Sequence, residues 1–171
     1  MGVFMTSDMQ IASLEQLGIV PSRKPEIPYY LQEANQIRED EGFKEQVYLD
    51  TKGYPTIGTG HLLKKGEFKK GDRPYSREQL EDIFQKDLKK HSQIVEKLTP
   101  NAPIEAKKIL INMAFNLGES KLSKFKETLK AVNKGDYNKA ADEMVNSDWY
   151  TQVGNRSKRL VDRMRRLSLN Y

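Results

Sequence analysis

The stretch VYLDTKGYPTIGTGHLL, residues 47–63, decides the fold. Its apolar residues form two short segments, 47–49 and 54–57, on either side of a turn-forming segment at 50–53. Because Gly53 can adopt a positive φ, we expect two short strands joined as a hairpin with a bulge. Pro55 has no amide proton to donate, so we expect its strand to lie at the edge of a small sheet.

The sequence on both sides of this hairpin favours helices. Upstream, the apolar residues of segment 30–37 have helical spacing, and Gly42 is suited to end that helix just after Glu41. Downstream, Ser76 opens a capping box that leads into a helix through Leu88. Further helices are predicted at 109–117, 125–132, 137–145 and 155–167. A small sheet followed by many helices indicates an α+β domain.

Composition excludes several classes of site. The chain has 171 residues, no cysteine and two histidines, which excludes disulfides, thiol nucleophiles and cysteine zinc sites. Its net charge of +5 favours anionic partners. There is no basic leader and no run of ~20 apolar residues, so we expect no signal peptide and no membrane insertion.

Residues 1–29 are predicted to be separate from the main domain, residues 30–171. Ile11, Leu14 and Leu17 have helical spacing, and the prolines at 21, 25 and 28 predict a stiff connector. Two interpretations stay open. The segment is either a strap or loose tail of the domain, or a docking element for another protein.

Two carboxylates have the placement that glycoside hydrolysis requires. Glu41 is predicted at the end of a helix and Asp50 in the hairpin turn. The helix dipole and the nearby Glu39 and Asp40 favour the protonated form of Glu41, which a general acid needs. Asp50 can accept backbone N–H groups and stay ionised. From spacing alone, two solvated surface carboxylates are the alternative.

Histidine and arginine residues have structural interpretations as well. We expect His61 to form an ion pair with Asp87, for which His91 competes from the next helical turn. The basic residues of 155–167 predict a solvated helix face, with nucleic-acid binding as the rival. The other helices mix acidic and basic residues, so we expect no nucleic-acid partner. Trp149 and Tyr150 are predicted to pack in the core, with ring edges exposed at a cleft as the alternative.

Several spaced motifs, taken in order, closely resemble the phage lysozyme family. They lie at 40–42, 48–54, 56–63, 112–119, 147–150 and 155–159, and the resemblance extends over roughly residues 35–167. It implies a two-lobed lysozyme-like fold, with a small N-terminal hairpin lobe, a mostly helical C-terminal lobe and the site between them.

The resemblance also implies a reaction, hydrolysis of the β-1,4 bond between N-acetylmuramic acid and N-acetylglucosamine with inversion and without cofactor or metal. In this interpretation Glu41 is the general acid, and Asp50 and Thr56 position the attacking water. The Thr56 hydroxyl can accept from that water and donate to Asp50. Arg156 matches an arginine beside the acid, and an ion pair there would oppose protonation of Glu41.

Other roles follow from the same resemblance. His61 and Asp87 are implied to be structural, and the implied substrate contacts are Leu62, Phe115, Asn116, Thr128 and Gln152. We expect a monomer that is made in the host cytoplasm and acts on peptidoglycan in the periplasm. It would reach the wall by a holin-dependent route, or residues 1–29 would bind a phage-particle partner. The alternative function is a non-catalytic wall-binding or phage tail component.

Overall fold

The computed structural model describes residues 27–171. Its helices are α1 (Tyr29–Gln32), α2 (Ala34–Glu41), α3 (Arg77–Leu98), α4 (Ile104–Leu117), α5 (Glu119–Leu122), α6 (Lys126–Asn133), α7 (Tyr137–Val145), α8 (Asp148–Val153) and α9 (Asn155–Leu167). Its strands are β1 (Lys44–Leu49), β2 (Pro55–Gly58) and β3 (His61–Leu62). The predicted α+β class is confirmed. The predicted helix at residues 11–17 lies outside the described part of the chain.

The small lobe is an antiparallel sheet in the order β1-β2-β3. Tyr48 pairs with Thr56 and Thr56 pairs with Leu62, so these three residues form one row across the sheet. Side chains alternate between faces along a strand, so Val47 and Ile57 lie on the opposite face. There they are buried and form a small apolar cluster. The row at Tyr48, Thr56 and Leu62 lies on the other face, where Leu62 is 61% exposed and Thr56 is 2% exposed.

The prediction that Pro55 lies in an edge strand is wrong, because β2 is the central strand of the sheet. Pro55 is the first residue of β2, a position at which a missing amide proton is tolerated. Its carbonyl still accepts a hydrogen bond from the amide of Leu63 at 2.8 Å. The short strand β3, which the sequence did not predict, supplies the second neighbour.

The predicted hairpin is confirmed. The amide of Gly53 donates to the carbonyl of Asp50 at 3.0 Å, and Gly53 has a φ of 80°. The amide of Asp50 donates to the carbonyl of Tyr54 at 2.9 Å, which closes the loop. The positive φ is a region that glycine enters without steric cost, so this residue allows the tight turn at Asp50.

Helix α3 joins the two lobes. It begins at the predicted capping box, in which Ser76 and Gln79 each bond the backbone amide of the other. Leu80 in its first turns belongs to the small-lobe cluster, whereas Phe84 and Leu88 belong to the main core. One continuous helix thus fixes the spacing between the two apolar clusters.

The helical lobe is built around α4. Its buried face is almost continuous, and the fully buried residues include Ile109, Leu110, Met113 and Ala114. Trp149 is 4% exposed, which confirms its predicted place in the core. Tyr29 also contacts this lobe, and its hydroxyl donates to Glu96 at 2.6 Å. Within residues 27–171, none of the helices is both long and apolar enough to cross a membrane.

Removing the cap of the lobe-joining helix should destabilise the fold. We expect Ser76→Ala to lower the free energy of unfolding by about 1 kcal/mol, because the amide of Gln79 loses its acceptor. Urea titration measures the change. Ser120→Ala, at an exposed position of α5, is the control and should stay within about 0.5 kcal/mol of the parent. Equal losses in both variants would contradict a capping role.

Candidate active site

The Glu41 carboxylate lies at the end of a helix and next to an arginine. Glu41 is the last residue of α2, and Gly42 follows it with a φ of 72°. Nη1 of Arg156 donates to Oε1 of Glu41 at 2.5 Å. The exposed fractions of the two side chains are 20% for Glu41 and 8% for Arg156. The ion pair that the resemblance implied is therefore present, at a partly water-accessible carboxylate.

Asn112 fixes the orientation of Arg156. Its side-chain oxygen accepts from Nε of Arg156 at 2.8 Å, and its carbonyl accepts from Nη2 at 2.9 Å. Asp40 lies 3.4 Å from the same Nε. Because two of the arginine nitrogens are bound to Asn112, the third is directed at Glu41.

The basic helix α9 does not present all its cations to solvent. Arg156, Arg159 and Arg163 lie at helical spacing on one face and turn inward. Arg159 pairs with Asp40 at 2.5 Å, and Arg163 pairs with Glu33 at 2.7 Å. The prediction of a solvated face is wrong for these three residues, since carboxylates from α2 and the residue before it meet them. The exposed basic residues of the helix are Lys158, Arg165 and Arg166.

Asp50 is held by the backbone of its own turn. Its Oδ1 accepts from the amides of Lys52 and Tyr54, each at 2.8 Å. Two amide donors on one carboxylate oxygen fix the direction in which the side chain points. The predicted turn geometry is confirmed, and Oδ2 makes no hydrogen bond with the residues that the structure describes.

Thr56 is linked to Asp50 through a carbonyl and not directly. Oγ1 of Thr56 donates to the carbonyl of Tyr54 at 3.0 Å, and that carbonyl also accepts from the amide of Asp50. The expected donation from Thr56 to Asp50 is therefore absent, because the nearer carbonyl of its own strand takes the proton. The lone pairs of the hydroxyl are left to accept a hydrogen bond.

Tyr48 lies among the candidate catalytic groups, although sequence reasoning gave it no role. It pairs with Thr56 across the sheet, and Nζ of Lys44 lies 4.2 Å from the centre of its ring. Burial, followed by the negative charges of Glu41 and Asp50, raises the pKa of the Tyr48 phenol. Glu41 also lies close to the sheet, because a Cβ on Gly60, in the turn between β2 and β3, would be 3.8 Å from its Oε2. No local sequence pattern predicts the pairing of Tyr48 with Thr56, so the register of the sheet was needed to find it.

The two histidines have different partners. Nδ1 of His61 and Oδ2 of Asp87 are 2.7 Å apart, which confirms the predicted pair. This hydrogen bond raises the pKa of His61. His91 packs on Phe115 with ring centres 5.0 Å apart, and burial lowers its pKa. Asp87 therefore pairs with His61 and not with His91.

Of the predicted substrate contacts, three are open to solvent. Leu62 is 61% exposed, in the row that contains Thr56. Gln152 is exposed on α8. Asn116 is exposed as well, and its side-chain oxygen accepts from Nε1 of Trp149 at 3.0 Å.

The other two predicted contacts are less accessible. Phe115 is half-buried, with its ring 5.5 Å from that of Phe84. Thr128 is 2% exposed and lines a cavity of about 280 Å³ together with Glu143 and Ser147. Within residues 27–171, neither side chain forms a hydrogen bond with Glu41.

The fold and the site define a two-lobed α+β protein with a helix-end carboxylate on one side and a hairpin carboxylate on the other. The sequence model of the phage lysozyme family matches residues 38–166. The chain therefore belongs to the phage lysozyme family. As a member it is a glycoside hydrolase of the lysozyme class, a peptidoglycan hydrolase.

Individual relatives agree with this assignment. "Probable T4-type lysozyme 2" of Dictyostelium discoideum is 32% identical over 150 residues, which is 73% of this chain and 88% of the relative. "Probable T4-type lysozyme 1" of the same organism is 30% identical over 159 residues, 78% of this chain and 94% of the relative. The pre-baseplate central spike protein Gp5 of Enterobacteria phage T4 is 30% identical over 152 residues, which is 75% of this chain but 26% of that protein.

The histidine pair should stabilise the protein in a pH-dependent way. The pKa of His61 is raised on folding, so the pair stabilises fully below about 6.5 and loses its effect as pH rises through the folded value. We expect Asp87→Asn to lower Tm more at about pH 6 than at about pH 9.

Thermal unfolding followed by circular dichroism measures this difference. Asp82→Asn changes an exposed carboxylate of the same helix and should lower Tm by a small and pH-independent amount. An Asp87→Asn effect of the same size at both pH values would contradict a charged pair.

Proposed function

We propose that the chain hydrolyses the β-1,4 bond between N-acetylmuramic acid and N-acetylglucosamine in peptidoglycan, with inversion at the anomeric carbon. Glu41 gives its proton to the glycosidic oxygen as that oxygen leaves. Water attacks the anomeric carbon from the other face, and its proton passes toward Asp50. The observation that carries this proposal is that Glu41 ends helix α2 beside the turn between β2 and β3, where a Cβ on Gly60 would lie 3.8 Å from its Oε2. Asp50 is fixed in the hairpin of the same sheet.

The surroundings of Glu41 support the role of general acid. Arg156 donates to Glu41 in this structure, and a general acid must gain a proton before each glycosidic bond breaks. Three features favour that gain, namely the negative end of helix α2, the adjacent Asp40 and the water that a bound sugar displaces. Arg156 also contacts Asp40 and Asn112, so its charge does not act on Glu41 alone.

The hairpin supports the role of water-positioning group. Asp50 is fixed by two backbone amides, and the Thr56 oxygen keeps lone pairs free because its proton is used by Tyr54. A carboxylate and a hydroxyl oxygen that both accept can hold one water with its oxygen directed at the sugar. Inversion requires such a water between the carboxylate and the substrate.

We propose that the enzyme is made in a phage-infected host cell and acts on the periplasmic wall, which it reaches through a holin-type pore. The second candidate is a component of the phage particle. The relative that favours it is a pre-baseplate central spike protein. Mass spectrometry of purified particles distinguishes the two, since only a particle component is recovered in fixed stoichiometry.

Replacing the proposed acid should abolish turnover without unfolding the protein. We expect Glu41→Gln to clear outer-membrane-permeabilised cells at least ~10²-fold more slowly, because the amide cannot protonate the leaving oxygen. A turbidity assay measures the rate. Glu39→Gln, at an exposed position of the same helix, is the matched control and should clear at the parent rate. Equal clearing by Glu41→Gln and the parent would remove Glu41 from the mechanism.

The stereochemistry of the product gives a second test. Inversion of a β-linked sugar releases the new reducing end first as the α anomer. We expect proton NMR, recorded during early turnover of soluble glycan fragments, to show the α anomer ahead of the β anomer. The β anomer should follow by mutarotation. A β anomer formed first would indicate retention and a covalent intermediate, and would reject the proposed water.

A further inference from the structure

Glu33 is a buried carboxylate that the proposed reaction does not use. It lies between α1 and α2 and is 3% exposed. It also lies outside residues 38–166, the part that matches the family model. Burying a charge costs free energy unless it is paired and hydrogen-bonded, so the partners of Glu33 explain its presence.

Two side chains from different helices satisfy Glu33. Arg163 of α9 donates to both of its oxygens, at 2.7 Å and 3.0 Å. Nδ2 of Asn112 in α4 donates to Oε1 at 3.0 Å. A bidentate arginine would be sufficient for a structural ion pair. The additional bond to Asn112 connects Glu33 to the active site.

The carboxylates of Glu33 and Asp40 together determine which way the amide of Asn112 faces. An ionised carboxylate only accepts hydrogen bonds, so Asn112 must direct its NH₂ group at Glu33. The same NH₂ group donates to Asp40 at 3.2 Å. The amide oxygen is then directed the other way, where it accepts from Nε of Arg156.

We propose that Glu33 is a positioning residue for the reaction, since it orients Asn112, which in turn directs Arg156 at Glu41. The inference rests on the proposed function of Glu41. Each hydrogen bond from Glu33 to Glu41 by way of Asn112 and Arg156 is 3.0 Å or shorter. The residue acts through others, so it does not touch the glycan.

Glu33→Gln is the variant that tests this role. The glutamine amide can donate as well as accept, so the amide of Asn112 is held less firmly, by Asp40 alone, and the direction of Arg156 is less well defined. We expect kcat to fall by about tenfold or more and KM to stay within about twofold, since a small misplacement of a reacting group affects turnover most. Steady-state hydrolysis of soluble peptidoglycan fragments measures both constants.

Glu96→Gln is the matched control. Glu96 pairs with Tyr29 and Lys107 and makes no hydrogen bond to Asn112 or Arg156 within the described residues. Its side chain is 43% exposed, so we expect a smaller loss of Tm than in Glu33→Gln and a kcat within about twofold of the parent at a temperature well below both Tm values. A loss of kcat in Glu96→Gln as large as that in Glu33→Gln would overturn the inference, because general destabilisation would explain both.

The pH profile separates positioning from a purely structural role. In Glu33→Gln the guanidinium of Arg156 is held at Glu41 less firmly, so the Glu41 carboxylate loses part of its ion pair and the protonated form is favoured. We expect the alkaline limb of the kcat/KM profile to move to higher pH in Glu33→Gln but not in Glu96→Gln. A parent-like kcat with a parent-like profile would overturn the inference.

A second variant and the acid variant complete the test. If Glu33→Gln does not fold, Arg163→Lys keeps the charge but not the bidentate contact that holds Glu33, and should show a smaller loss of kcat with a smaller shift in the same direction. A folded Arg163→Lys with a parent-like rate and profile would overturn the role of Glu33.

If Glu41→Gln is inactive and Glu33→Gln behaves as the parent, only this inference fails. An active Glu41→Gln rejects the proposed function itself.

Discussion

Arg156 places its guanidinium between Asn112, Asp40 and Glu41, and this buried ion network joins the helix that ends at the candidate acid to the rest of the helical lobe. Burying such charges gains little net free energy, but removing one partner costs several kcal/mol because the other charge is left unpaired. The network therefore serves to position the side chains around Glu41 more than to stabilise the fold. Helix α2 has few buried apolar residues, so these ion pairs decide where its last residue lies.

The opposite wall of the site is held by a different kind of interaction. The small-lobe cluster has only Val47, Ile57 and Leu80 as fully buried apolar residues, so packing alone gives that lobe little rigidity. Backbone hydrogen bonds hold Asp50 in place, and a continuous helix connects the lobe to the main core. Buried charges thus position the acid, whereas the hairpin turn positions the groups proposed to hold the water. Substitutions in one set should leave the geometry of the other largely intact.

Structural features that depend on neighbouring residues were predicted correctly from the sequence. The capping box, the glycine after Glu41 and the hairpin turn are all determined within five residues, and all were found in the structure. Of the pairings between distant residues, His61 with Asp87 and Arg156 with Glu41 were expected, the second because of the resemblance. The pairing of Glu33 with Arg163 was not predicted, because the two residues are 130 positions apart and no local pattern connects them. The error at Pro55 has a similar cause, since strand order depends on the two-residue strand β3 and not on the proline itself. The identities of Glu41, Asp50 and Thr56 as candidates came from the motifs, whereas Tyr48 needed the register of the sheet.

An arginine beside the acid opposes its protonation, and the composition of the network resolves this conflict. Arg156, Arg159 and Arg163 face Glu33, Asp40 and Glu41. Arg163 also contacts Glu105, which pairs with Lys108, so four positive charges balance four negative ones when Glu41 is ionised. Protonation of Glu41 leaves one positive charge in excess beside the leaving oxygen, where a sugar cation is forming and a further cation is unfavourable. Once Glu41 has given up its proton, the network is balanced again. Arg156 therefore stabilises the Glu41 carboxylate that forms when the proton is transferred more than it stabilises the protonated acid. This difference suits an acid that acts once in each turnover.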